Sequence, residues 1–166
     1  ISVKRDIETT YEKFNKIDLN AKREEILSAL LEAGFGGFFR QRPYDVIANP
    51  TVAPKAIFVS AFDSAPLAPD YNFVLKGQAS HVQAGLSVLA KLTEGNVYYS
   101  VCPSTSAELK NMKDVEINEF VGAHPAGNVG VQINHLNPIN KGEVVWTVNV
   151  QDVALIGRFA TSGVVN

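Results

Sequence analysis

The chain has 166 residues, of which 46% are hydrophobic and 19% charged, and its formal net charge is −2. This length and balance predict one globular domain with a full core, and they exclude a disordered chain. Because the chain has no excess of positive charge, nucleic acid is not an expected partner. The single cysteine, Cys102, excludes an internal disulfide and is typical of a reducing compartment.

The ends of the chain indicate a domain of a longer protein. The sequence begins at Ile1 without methionine and shows no secretory signal pattern. We expect residues 1–17 to lead in from a preceding domain and residues 18–166 to form the globular unit. No apolar run approaches the roughly 20 residues that a membrane-spanning helix needs, so contact with a membrane is expected only through partners.

The first half of the chain predicts two helices separated by a buried strand. The first helix is expected to begin near Asp18 or Asn20 and to end before Gly34. An irregular loop is predicted over 35–43, and the apolar run at 55–61 is typical of a buried parallel strand. Apolar spacing marks the buried face of the first helix at Ile26, Leu27, Leu30 and Leu31.

The second helix is predicted from a capping box. Ser80 followed by Gln83 favours a helix start there, with an apolar face that continues to about Leu92. A second strand is then predicted over 97–102, with alternate residues on opposite faces.

The last third of the chain continues the alternation of helices and strands. A short helix near 105–112 and a strand at 115–121 are predicted. The segment 129–136 fits a helix or a strand, and the flanking prolines and glycine favour a helix. A strand at 143–148 then leads to a helix that Asn149 caps, with Asp152 at position N3 and Gly163 at the end. This alternation predicts a mainly parallel α/β sheet.

Candidate binding residues follow the first buried strand, because ligands of open α/β sheets lie beyond the carboxyl ends of the strands. Phe62 and Asp63 stand at that place. Arg40 and Arg42, beside Gly36-Gly37, could hold a phosphate or a carboxylate, form a solvated loop or contact another subunit.

The segment His124-Pro125-Ala126-Gly127 is flanked by further glycines and precedes the helix at 129–136. Such a loop could bind an anion at the helix start, or could be a tight turn in which His124 is structural. The three histidines form no cluster with metal-ligand spacing, and no serine-hydrolase elbow or Walker loop is present. No catalytic residue or metal site is predicted.

Several segments resemble, in order along nearly the whole chain, the NqrA subunit of the sodium-translocating NADH:quinone oxidoreductases. The resemblance implies the second domain of that subunit, with a Rossmann-like fold that has helices on both faces of the sheet. More distantly, the chain is similar to the flavin subunit of respiratory complex I and to RnfC. The matching segments are 18–27, 31–34, 40–43, 61–68, 120–127 and 146–157.

The same resemblance implies a degenerate flavin site. The flavin-binding relatives approach the cofactor with a glycine-rich loop, whereas here large side chains follow two glycines. Where those relatives have several acidic residues after the strand, this chain has only Asp63. Asn149 matches the asparagine of the relatives at the last strand–helix junction. The residues in question, with the histidine of the later loop, are Gly36, Gly37, Phe38, Phe39, Arg40, Phe62, Asp63, His124 and Asn149.

The resemblance implies a part of an oxidoreductase complex that itself carries no catalytic residue and binds neither FMN nor NADH. It implies a peripheral place on the cytoplasmic face of the bacterial inner membrane, held by other subunits and especially by membrane subunits. A role in assembly is expected, together with quinone access through a slot of Phe38, Phe39, Phe62 and Tyr44. Two alternatives stay open: these aromatic rings only fill the core or contact another subunit, and the domain binds FMN or a dinucleotide in a rearranged pocket.

Overall fold

The computed structural model describes residues 12–165, so most of the predicted lead-in segment lies outside the described residues. Six strands form one sheet in the order β2-β1-β6-β3-β4-β5. The strands are β1 (Arg40–Arg42), β2 (Val46–Ile47), β3 (Ile57–Ser60), β4 (Val97–Val101), β5 (Glu116–Glu119) and β6 (Val145–Asn149).

From β3 onward, helices separate successive strands, as the sequence predicts, whereas the first three strands follow one another without a helix. The helices are α1 (Arg23–Glu32), α2 (Tyr71–Val74), α3 (Ala79–Leu89), α4 (Ala107–Lys110), α5 (Val129–Leu136) and α6 (Val150–Ser162), with a 3-10 turn at Phe35–Phe38.

Four strands of the sheet are parallel, in the order β6-β3-β4-β5, and β1 pairs antiparallel with both β2 and β6. From β3 the chain moves outward through β4 and β5 and then returns to β6 on the other side of β3. The carboxyl ends of β3 and β6 therefore flank a topological switch point, which is where α/β sheets place their ligands. The predicted mainly parallel, Rossmann-like fold is confirmed.

The two faces of the sheet are covered unequally. Buried residues of α1, α3 and α6 pack with one face of the sheet in a single large cluster around Trp146 and Tyr99. The opposite face is covered by α5 through a much smaller cluster, Ala56, Phe58, Tyr98, Ile133 and Val145. In that cluster the Phe58 and Tyr98 rings stack with centroids 4.7 Å apart. Helices thus lie on both faces, with most of the apolar burial on one.

Two glycines allow α3 and α6 to cross in close contact. A β-carbon on Gly157 would overlap the carbonyl oxygen of His81 and lie 2.6 Å from the amide nitrogen of Gly85. A β-carbon on Gly85 would in turn overlap the carbonyl oxygen of Val153. The backbones touch at this crossing, so both positions require glycine.

The predicted capping of α1 and α3 is wrong. Asp18 accepts a hydrogen bond from the Asn20 amide in a turn that precedes the helix, and α1 begins only at Arg23. Ser80 lies inside α3, because the helix begins one residue earlier. The Gln83 side chain instead accepts from the Lys113 amide at 2.7 Å, so a tertiary contact takes the group that a capping box would use.

The predicted irregular loop over 35–43 is also wrong. After the 3-10 turn the chain enters β1, where Arg40 lies opposite Thr147 in the antiparallel ladder with β6. Phe39 is buried with its ring edge-on to Trp146, at a centroid distance of 5.5 Å. The polar sequence Arg-Gln-Arg carries no strand signal, because the residues of β1 are only partly buried. The segment is a strand because it pairs with β6.

Candidate functional site

A cleft of about 350 Å³ opens at the switch point between the carboxyl ends of β3 and β6. Most of its lining residues are polar, and two loops and three helix starts surround a floor of strand residues. The residues that line it are Arg42, Ser60, Asp63, Ala65, Tyr71, His124, Gly127, Asn128, Val129, Thr147, Val148 and Asn149.

Ser60 forms a hydrogen-bonded floor for the cleft. Its hydroxyl donates to the Phe62 carbonyl at 2.7 Å and accepts from the side-chain amide of Gln132 at 3.0 Å. Gln132 belongs to α5 and is fully buried. This bond joins β3 to the helix on the sparsely covered face, and it fixes the point at which the chain leaves the sheet.

The loop that follows β3 is held against the loop that precedes α5. The Gly127 amide donates to the Ser64 hydroxyl at 2.8 Å. The same hydroxyl lies 3.3 Å from His124 Nδ1, and the tautomer of the imidazole sets which of the two groups donates. A β-carbon on Gly127 would overlap the Ser64 amide nitrogen and lie 2.7 Å from the Asp63 carbonyl carbon. The glycine therefore permits direct contact between the two loops.

Gly127→Ala is expected to push these loops apart and to lower the free energy of unfolding by about 1–3 kcal/mol. Urea denaturation provides the measurement. Ser64→Ala is the matched control, since it removes the two hydrogen bonds without the steric overlap and is expected to cost only about 1 kcal/mol. Equal losses in both variants would show that hydrogen bonding, and not close approach, is what Gly127 provides.

Arg42 is the cationic side chain at the other wall of the cleft. It extends from the end of β1 toward the start of α5, where its guanidinium would be 3.0 Å from a β-carbon on Gly130. Asp45 Oδ1, in the turn between β1 and β2, lies 3.5 Å from Arg42 Nη1 and 3.5 Å from Arg40 Nε. The Asp45 carboxylate therefore offsets part of the positive charge of Arg42.

The first turn of α6 carries a carboxylate where an anionic ligand would bind. Asn149 stands at the N-cap, but its side chain donates to Asp152 at 2.9 Å and accepts no backbone N–H. Burial raises the pKa of the Asp152 carboxyl, and the hydrogen bond from Asn149 opposes that shift. The predicted N-cap position of Asn149 is confirmed, but its side chain bonds the Asp152 carboxylate and caps no backbone N–H.

Tyr71 lies close to both acids of this region. Burial raises the pKa of its hydroxyl, and the negative charges of Asp63 and Asp152 raise it further. Asp63 itself closes a turn by accepting from the Ala65 amide at 2.8 Å. Asp63 and Asp152 therefore give this side of the cleft a negative potential, while the Tyr71 phenol stays neutral.

Asp63→Asn and Asp152→Asn are each expected to lower the pKa of the Tyr71 hydroxyl, because each removes a negative charge that disfavours the phenolate. The measurement is a tyrosine ring-carbon NMR titration above pH 9, with Tyr71→Phe to assign the signal. Glu94→Gln, a substitution of an exposed acid elsewhere, should leave the pKa of Tyr71 unchanged. An unshifted Tyr71 in both aspartate variants would place the acids too far from the phenol.

The structure brings together three of the predicted site residues. Asp63, His124 and Asn149 all line the cleft. Phe62 lines a neighbouring depression with Cys102, whose thiol is partly exposed.

The other predicted site residues lie away from the cleft. Arg40 pairs with Asp45, and the segment Gly36–Phe39 belongs to the 3-10 turn and the adjoining core. Phe38 and Phe39 pack in the core and Tyr44 is 82% exposed, so none of the three forms an aromatic wall here.

Sequence reasoning misses Tyr71 and does not place Arg42 in the cleft. Arg42 carries a weak signal, since it belongs to the arginine pair that could hold an anion. Tyr71 carries none, because its position depends on how the 61–70 loop folds back over the sheet.

Within residues 12–165, no group of three or more His, Cys, Asp or Glu side chains is arranged to hold a metal ion. In the same part of the chain, no helix has both the length and the apolar character needed to cross a bilayer.

Comparison with known proteins places the chain in a family. Residues 21–165 match the model described as the NqrA second alpha/beta domain. The chain is 36% identical over 164 residues to the NqrA subunit of the Na(+)-translocating NADH-quinone reductase of Marinomonas sp. strain MWYL1, covering 98% of the chain and 36% of that protein. It is 41% identical over 143 residues to the same subunit of Serratia proteamaculans, covering 85% and 31%.

A similar fold occurs in a crystal structure of NAD+-reducing [NiFe]-hydrogenase in the H2-reduced state. The TM-score is 0.54 at 14% sequence identity, over 87% of this chain and 34% of that one. This likeness supports the α/β architecture alone.

The chain spans about a third of the length of the curated relatives that it matches. The matches run through both cleft loops and through the β6–α6 junction, so they cover the site as well as the core. The chain belongs to the NqrA second alpha/beta domain family.

Proposed function

We propose that the chain is a domain of the NqrA subunit of a sodium-pumping NADH-quinone reductase, and that it acts in the assembly of that complex without binding a flavin. The relatives are named as that subunit. The observation that carries the flavin part is the placement of Asp152. Its carboxylate lies on the first turn of α6, where its negative charge opposes the binding of a phosphate to the free backbone N–H groups of the helix start.

The charges around the cleft do not fit FMN. Asp63 and Asp152 would both repel a phosphate monoester, which carries nearly two negative charges at neutral pH. Arg42 is the opposing cation, and its guanidinium is shared with Asp45. The residues present therefore disfavour the anionic end of a flavin nucleotide.

The backbone also departs from what a flavin would need. Gly36 and Gly37 lie in the 3-10 turn, outside the cleft, so this glycine segment cannot approach a ligand bound at the switch point. The backbone approach inside the cleft is made by Gly127, and it is used against the Asp63-Ser64 segment of the neighbouring loop.

The proposed partners are other subunits of the same reductase, in particular its membrane subunits. Large apolar side chains stand exposed on the loops and the short helix α2 at the carboxyl edge of the sheet, at Leu67, Phe73, Val74 and Val121. Exposed apolar side chains that are grouped at one edge of a domain are typical of protein contacts. On this proposal the domain is peripheral, on the cytoplasmic face of the bacterial inner membrane, and is held there by those subunits.

The test is a titration of the purified full-length subunit with FMN and with NADH, followed by calorimetry and flavin fluorescence. We expect no saturable binding of either up to about 100 μM. Asp152→Asn serves as a diagnostic variant, since removing the carboxylate should make FMN binding easier and not harder. Micromolar affinity of the unchanged protein for FMN would refute the flavin part of the proposal.

One observation favours the alternative, a domain that binds FMN in a rearranged pocket. Arg42 and the start of α5 lie at the same wall of the cleft, and together they offer positive potential to an anion. This alternative predicts a yellow protein that keeps flavin through gel filtration. It also predicts that Arg42→Gln releases the flavin, while Lys91→Gln, at an exposed position after α3, does not.

Access of a quinone to the cleft is a further part of the proposal. Tyr71 and His124 offer hydrogen-bonding groups at the mouth of a cleft of about 350 Å³, a size that suits a flat ring. Photo-crosslinking of the intact complex with an azido-quinone is the test. Label on peptides that contain Asp63 or His124 supports quinone access, and label confined to other subunits removes it.

A further inference from the structure

The two edges of the sheet differ in how they face solvent. At the β5 edge the strand carries Glu116 and Glu119, and Lys110 pairs with Glu119 at 2.8 Å. Charged side chains on an edge strand discourage pairing with another strand. The β5 edge is therefore protected.

The β2 edge has the opposite character. The β1–β2 hairpin exposes three large apolar side chains: Tyr44 at its tip, and Val46 and Ile47 in the strand, the last 61% exposed. Successive strand residues point to opposite faces of a sheet, so Val46 and Ile47 offer apolar surface on both sides of the same edge. A partner that covers both must approach edge-on, as an added strand does.

The backbone of β2 is also free to pair. The Ala48 amide donates to the Phe39 carbonyl at 2.9 Å, and Gln41 lies opposite Val46 in the ladder. Because bonded and non-bonded pairs alternate in antiparallel ladders, Ile47 directs its N–H and C=O away from β1. Within residues 12–165, no backbone partner is found for either group.

The size of this surface decides what kind of partner covers it. A stable contact between separate proteins buries roughly 800 Å² on each side, far more than three side chains present. A segment of the same polypeptide can cover a small patch, because its effective concentration is in the millimolar range. The relatives have almost two thirds of their length outside the matched region, which is ample chain for such a segment.

We propose that β2 is extended by a strand from the part of the same polypeptide that lies outside this domain. The added strand bonds the outward N–H and C=O of Ile47 and covers Tyr44, Val46 and Ile47. The inference rests on family membership and not on the cofactor content of the cleft, so the flavin titrations can fail without affecting it.

The test is hydrogen exchange on the full-length subunit, resolved to Ile47 with overlapping peptides. We expect the Ile47 amide to exchange at least about 100-fold more slowly than a free amide in the isolated subunit. Slow exchange that appears only in the assembled complex would show that another subunit pairs with β2. Slow exchange that depends on protein concentration would assign it to a second copy, and fast exchange throughout would leave the edge uncovered. Each of these three results overturns the proposal.

A pair of variants gives an independent measurement. Ile47→Lys places a charge on the covered edge and is expected to lower the Tm of the full-length subunit by about 3 °C or more. Ile117→Lys makes the same change on the protected β5 edge, at a residue that is 41% exposed, and should shift the Tm by less than about 1 °C. Equal shifts would contradict the proposal.

Discussion

Replacing Gly157 by alanine is expected to lower the free energy of unfolding of the chain by about 3 kcal/mol or more. The new methyl group would overlap the His81 carbonyl oxygen and press on the Gly85 amide. Both are backbone atoms of α3, so no side-chain rotation can relieve the overlap. The two helices would have to separate along their contact, and both also pack on the sheet.

Urea denaturation of the two proteins gives the measurement. Gly37→Ala is the matched control, because nothing lies within 4 Å of its β-carbon position and its backbone angles suit alanine. We expect that control to change stability by less than about 1 kcal/mol. If Gly157→Ala were equally mild, the close crossing of α3 and α6 would be wrong.

Replacing Trp146 by alanine is expected to cost about 3–5 kcal/mol of unfolding free energy. Trp146 is only 1% exposed and stands in β6, between β1 and β3. Phe39 packs edge-on against its ring, and the Arg23 guanidinium lies 5.8 Å from the ring centroid. Removing the indole leaves a cavity that neighbours on three elements cannot all fill.

The control for this prediction is an aromatic residue outside the core. Phe73 is 80% exposed, so Phe73→Ala should change stability by less than about 0.5 kcal/mol. Both variants are compared by thermal and urea unfolding under the same conditions. Similar losses at the two positions would contradict the assignment of Trp146 to the core.

The sequence predicts the central parallel strands well, because β3, β4 and β6 are buried on both faces. The run at 55–61 and the strand at 97–102 are apolar enough to stand out without any alignment. The ambiguous segment 129–136 forms the predicted helix, with Asn128 capping it through a 2.8 Å bond from the Gly130 amide. Gly34 and Gly163 end their helices with positive φ, as predicted.

The antiparallel edge could not be predicted from local pattern. β1 is a three-residue strand of Arg and Gln whose place in the sheet depends on β6, about a hundred residues later in the chain. The capping predictions fail for a related reason, since Gln83 is held by the backbone of Lys113, which local sequence does not reveal.

The candidate site is predicted in part, and the division has a physical cause. Asp63 and Asn149 follow or end parallel strands, and fold geometry alone places such residues together at the switch point. Gly36 and Gly37 are grouped with them only by resemblance to flavin-binding relatives. Here Phe35 and Phe39 on either side of that pair are drawn into the core, which carries the glycines away from the cleft.

The unequal cover of the sheet has a consequence for the dynamics of the chain. The α5 side is anchored by a cluster of five buried residues and by the Gln132–Ser60 bond, whereas α3 and α6 share the large core. Native-state opening free energies follow such differences in local burial. The segment from the end of β5 to the start of β6 should therefore open as a unit in subglobal fluctuations, while β3, β4 and β6 exchange only through global unfolding.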